Sequence, residues 1–240
     1  MSDHADRWAI AQEYEHAWWR KRAAQLNLDF YREYAEELLE LLDGIKRLDQ
    51  RTAILEIGSG AAGILTHLSG AVRCAVDPLE DFYRSVPEFR SYRDSSVTYA
   101  AAKAESLLFA DAQFDLVICD NVLDHCDQPE TALAEMARVM KPDGILYLRL
   151  VTYHVWGRLV RAVLERLRVD RGHPHTFTKS DCLGLFVRSG LGTVTMRNVG
   201  FARRWLRDLT ALQLKRMAKA VLFATQDKTL YILEKQRGER

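Results

Sequence analysis

The stretch Ala53-Ile54-Leu55-Glu56-Ile57-Gly58-Ser59-Gly60-Ala61-Ala62-Gly63 constrains this 240-residue chain more than any other. An apolar, β-branched run that ends beside an acid and then breaks into glycines reads as a buried parallel strand turning sharply into a helix. Gly58 can adopt backbone angles closed to other residues, Gly60 lets the main chain approach a ligand without a Cβ in the way, and Gly63 permits close helix-strand packing. Such a turn is the floor of a nucleotide pocket.

Gly58, Gly60 and Gly63 fit G-x-G-x-x-G, which nicotinamide and flavin enzymes share. Glu56 shifts the weighting. A carboxylate two residues before the first glycine lies at the strand's carboxyl end, where it can accept hydrogen bonds from a cationic amino-acid head group and would repel a pyrophosphate. Together these residues resemble the first motif of class I S-adenosylmethionine-dependent methyltransferases, Asp/Glu-x-Gly-x-Gly-x-Gly, with Ala62 where the last glycine is expected.

Further along, Ala71 to Asp77 is a second strand tipped by an acid, nineteen residues beyond Gly58, close to the interval of about 20 residues at which Rossmann-like folds place an acid on ribose hydroxyls. Leu79 would then pack against adenine. Val97 to Ala101 is the third strand and Phe114 to Asp120 the fourth. The segment from Ala104 to Asn121 resembles a methyltransferase subfamily in which an acid after the third strand reads the adenine amino group; Glu105 is the matching position. The resemblance continues through a helix from Thr131 to Met140, a Lys141-Pro142-Asp143-Gly144 turn and a fifth strand, Ile145 to Val151. It implies S-adenosyl-L-methionine as cofactor, held by Glu56, Gly58, Gly60, Asp77, Leu79, Glu105 and Asn121, with Asn121 beside the sulfonium. The implied fold is α/β: a Rossmann-like, seven-stranded, mostly parallel sheet with one antiparallel strand and helices on both faces. Thr193 to Val199 and Thr229 to Glu234 supply its last two strands.

Around this domain, 49–240, the chain adds three decorations. Residues 1–48 read as an N-terminal helical cap whose aromatics, Trp18 and Trp19 foremost, are either structural or line a substrate entrance. An insertion at about 152–172 carries a helix with a surplus of arginine, and one at about 201–226 carries an amphipathic helix. Either basic helix is a candidate for peripheral membrane contact, and the second for packing on the core or in a homodimer. Arg149 is out of place in a central parallel strand; it either pairs with an acid or anchors an anionic substrate.

Methyl transfer to a hydroxyl requires removal of a proton, and His125, His154, His173 and His175 all fall near the carboxyl rim of the sheet, where an imidazole suits that task. His125 ranks first by location. The His173-x-His175 pair lacks a third and fourth ligand at a supporting spacing, so no metal is expected. A net charge of +1 names no nucleic-acid partner. Four widely spaced cysteines, Cys74, Cys119, Cys126 and Cys182, suit a reducing compartment, and no apolar run of eighteen residues is present, so a cytoplasmic protein is expected. The expected activity is O-methylation of a small or lipid-linked hydroxyl acceptor, a sugar or secondary metabolite. The alternatives are an NAD(P)-dependent oxidoreductase and a non-catalytic module that binds a partner or a membrane surface.

Overall fold

The computed structural model describes residues 2–23, 27–154, 156–160, 175–198, 201–210, 221 and 226–236. Its strands are β1 (Ala53–Ile57), β2 (Val72–Val76), β3 (Thr98–Ala100), β4 (Phe114–Asp120), β5 (Met140–Tyr153), β6 (Phe177–Thr178), β7 (Leu191–Asn198) and β8 (Asp227–Lys235). The helices are α1 (Ser2–Arg22), α2 (Phe30–Leu42), α3 (Glu80–Ser85), α4 (Pro129–Val139), α5 (Lys179–Arg188) and α6 (Phe201–Thr210).

The sheet runs β3-β2-β1-β4-β5-β8-β7, and β6 pairs with β5 off this path. Strand β8 is antiparallel to both its neighbours and the other pairings are parallel, as expected. Alternation along β1 sends Ile54 to one face and Leu55 and Ile57 to the other. Leu55 and Ile57 share a core with α4 and α5, while Ile54 joins Leu38, Leu41 and Leu42 of α2. Helix α2 is therefore a wall of the sheet as well as part of the cap.

Several elements differ from expectation for local reasons. The helix expected from Ala61 is only a 3₁₀ turn, Ile64–His67, because Gly63 enters it at φ +88° and the Glu56 carboxylate draws in the amides of Ile64 and Leu65. Strand β5 begins at Met140, and the register slips between Phe114 and Leu116, so Lys141 to Gly144 bulge out within the strand instead of forming a separate turn. The two-residue β6 makes an eighth strand. Thr178 and Asp181 form a capping box on α5. Of the basic insertion only 152–154 and 156–160 are described, with Trp156 and Leu159 more than half exposed. His173 and most of the second amphipathic helix lie outside the described residues, and Leu206 in its described part is exposed. No described helix is long and apolar enough to cross a membrane.

Candidate active site

Four strands, β1 to β4, end at one cavity of about 540 Å³, and α1, α2 and the start of β8 close it. Its floor is the glycine turn. Gly58 has φ +68°, and a Cβ there would lie 2.2 Å from Val122 Cγ2, so both backbone and packing demand glycine. At Gly60, φ +59°, a Cβ would lie 2.7 Å from the Tyr31 hydroxyl and 3.0 Å from Trp19 Cζ2. The cap is thus seated directly on the turn. Tyr31 Oη donates to the Ser59 carbonyl at 3.0 Å, and Trp19 Nε1 donates to Glu15 Oε1 at 3.0 Å.

The acids are placed with distinct tasks. Glu56 is 1% exposed; its Oε1 and Oε2 accept from the amides of Ile64 (2.9 Å) and Leu65 (2.8 Å). Burial pushes its pKa up to about 8 against the pull of those two amides. This carboxylate, expected at an amino-acid head group, lines the cavity and shapes the loop beneath it. Asp77 closes β2 and accepts from Gly60 N (3.0 Å) and Leu79 N (2.9 Å), one bond to each oxygen. Burial lifts its pKa to about 6, opposed by the same two amides. Each oxygen keeps lone-pair capacity on the cavity wall.

Glu105 lines the same wall, yet its Oε1 takes the amides of Asp127 (2.7 Å) and Gln128 (3.2 Å) at the start of α4. Only Oε2 is without a hydrogen bond among the described residues. Asn121 is held at φ +60° with its amide donating to the Arg149 carbonyl at 2.8 Å. Its side-chain Oδ1 is buried and has no partner among the described residues, an acceptor aligned for something the chain does not itself supply.

Of the histidines proposed from sequence, His125 is on the cavity wall, with Nε2 4.0 Å from Asp124 Oδ1. His154 and His175 do not line it. His154 is exposed at the end of β5, and its carbonyl accepts from Arg158 N. His175 is packed against Phe177, with a ring nitrogen 3.3 Å from the Asp127 carbonyl. Strand β5 runs to Tyr153, two residues beyond its expected end. No group of metal-ligating side chains occurs among the described residues.

Arg149 takes the first of its two expected roles. It is 1% exposed and is held by both oxygens of Asp120, by Glu37 Oε2 at 3.0 Å, and by the Tyr34 ring, whose centroid lies 3.3 Å from the guanidinium carbon. Sequence reasoning missed Tyr31, Tyr34 and Lys228 as site residues. They come from chain segments almost 200 residues apart, with no local pattern to mark them.

A family model described as a methyltransferase domain matches residues 55–148, the span from β1 into β5. A malonyl-[acyl-carrier protein] O-methyltransferase of Marinomonas sp. is 27% identical over 165 residues, covering 68% of this chain and 60% of its own length. The chain spans 51% of an uncharacterized methyltransferase of Mycobacteroides abscessus, 27% identical over 135 residues, or 53% of this chain. Among solved structures, a methyltransferase from Bacillus halodurans, itself assigned only from likeness, superposes with a TM-score of 0.64 at 18% identity, over 83% of this chain and 99% of that one.

Proposed function

We propose that this chain, which belongs to the class I S-adenosylmethionine-dependent methyltransferases, transfers a methyl group from S-adenosylmethionine to a hydroxyl of a small or lipid-linked acceptor. The observation that carries the reading is the buried, unpartnered Asn121 Oδ1 at the end of β4, on a wall shared with Asp77 and His125.

The residues present suit the cofactor. When bound, it would supply a methyl group on a sulfonium already activated for displacement. Gly58 and Gly60 keep the turn free of side chains, and Asp77 offers lone pairs suited to ribose hydroxyls. Leu79 presents an apolar surface for the base, and Glu105 Oε2 remains as an acceptor for its amino group. Asn121 Oδ1 offers a dipole where positive charge is to be held. The aromatic cap excludes water from these groups. His125, on the cavity wall beside Asp124, is the residue proposed to take the proton from the acceptor hydroxyl.

Calorimetric titration with S-adenosylhomocysteine, with NAD as control, comes first, followed by transfer of labelled methyl to hydroxylated acceptors. S-adenosylhomocysteine is expected to bind and NAD to be silent. His125→Ala should bind S-adenosylhomocysteine as the parent does and transfer methyl about 10²-fold more slowly. Full turnover by that variant would remove His125 as the base. Binding of NAD alone would end the methyl-transfer reading.

A further inference from the structure

The cavity crosses the sheet from the residues after β3, Ala102 to Ala104, to Lys228 at the start of β8. Six adjacent strands separated by about 4.8 Å make that a span of about 24 Å. The groups suited to the cofactor, from Glu105 and Asp77 to Asn121, occupy the β3 to β4 part. Towards β8 the same cavity is lined by Phe30, Tyr34 and Lys228, the Phe30 ring packed on Tyr34 and Tyr34 bonded to Lys228.

The charges on this wall are unevenly committed. Asp77 and Glu56 each accept two backbone amides, Glu105 caps α4, Asp120 is clasped by Arg149, and Glu15 accepts from Trp19. Lys228 differs. Its Nζ donates to the Tyr34 hydroxyl at 3.3 Å and sits 5.2 Å from the centre of that ring, and no carboxylate among the described residues lies within 4 Å of it. An ammonium has three donors, so two remain, and the Tyr34 hydroxyl, acting as acceptor towards Lys228, still has its own proton to give. The Tyr34 ring already carries the Arg149 guanidinium, which makes its hydroxyl a better donor. Two donors with surplus positive charge, framed by flat rings, constitute a site for an anion attached to a planar body.

We infer that the acceptor is a planar hydroxylated molecule bearing an anionic group, and that Lys228, with Tyr34 beside it, is the residue that selects it. This inference rests on the methyl-transfer reading of the same cavity and names its substrate class. Arg149, the cation that sequence alone offered for an anionic substrate, is set aside because it is 1% exposed and each of its three guanidinium nitrogens is already bonded to Asp120 or Glu37.

The test uses full-length protein saturated with S-adenosylhomocysteine and titrated with 3,4-dihydroxybenzoate or its neutral isostere 3,4-dihydroxybenzamide. The parent should bind the benzoate at least about tenfold tighter, the scale of a charge-assisted hydrogen bond. Lys228→Met should bring the ratio close to one, Lys228→Arg should retain most of it, and both variants should keep the parent's affinity for S-adenosylhomocysteine. A ratio unmoved by Lys228→Met, or no binding of either probe to the loaded parent, overturns the inference while leaving methyl transfer standing. Failure of the parent to take up S-adenosylhomocysteine in the first titration would instead remove the reading on which the inference depends.

Discussion

The two ends of the cavity are built by opposite means. At the β1–β2 end the chain works with backbone: Gly58 and Gly60 at positive φ, and Glu56 and Asp77 with their oxygens on main-chain amides. At the β5–β8 end it works with side chains drawn from far apart, Tyr34 and Glu37 of α2 reaching Arg149 and Lys228. A site made of backbone tolerates change of side chain but not addition of a Cβ. One made of side chains can alter what it selects without disturbing the turn, and that is the division of labour a transferase with one cofactor and variable acceptors requires.

Arg149→Met attacks the second end hardest, because it leaves Asp120 buried without its cation. Denaturant unfolding should show a loss of about 3 to 5 kcal/mol. If the ends are separable, affinity for S-adenosylhomocysteine, measured in the cold where the variant stays folded, should change no more than a few-fold. Its disappearance would show that α2 and the glycine turn act as one unit.

Gly58→Ala attacks the first end. Positive φ and the collision with Val122 together cost about 3 kcal/mol, read by the same unfolding method. Adding Val122→Ala should return the packing part and leave the backbone part, a coupling a double-mutant cycle resolves.

The smallest effect belongs to Asp77→Asn, about tenfold weaker binding of S-adenosylhomocysteine through loss of a charged acceptor. Its pH profile is sharper evidence than its magnitude. Asp77 titrates near 6 in the free protein, so its charged form fills as pH rises, and affinity should climb from pH 5 to 7 and then level off; the Asn variant should be flat. Stability of the free protein runs the other way. A carboxyl raised above its unfolded value of about 3.9 favours the fold at low pH and loses that contribution as pH rises through about 6.

The same division explains what could be read from the sequence. Glycines at Gly58 and Gly60, an acid ending β2 and the apolar runs of β1 and β4 are local demands of backbone geometry, so they are written locally and the strand order follows. Glu105 was harder: an acid that caps a helix and an acid that faces a ligand look alike until α4 is in place. Trp18 and Trp19 were legible as unusual: Trp19 is 5% exposed against the turn, and both rings line the cavity. His154 and His175 were expected near the cavity and do not line it, because the rim of a sheet is a region and the facing of a side chain there is not written locally. Lys228 carried no signal at all, as its partner Tyr34 is 194 positions away.

All four cysteines of the chain are buried, and burial raises the pKa of each thiol. The native protein is therefore nearly silent to maleimides and other thiolate-seeking labels. A cysteine introduced at exposed Tyr14 on α1 and another at Leu108, 76% exposed beyond β3, would be the sole attachment points for a pair of dyes. Energy transfer between them would follow the first helix against the sheet in single molecules, with no native thiol to replace beforehand.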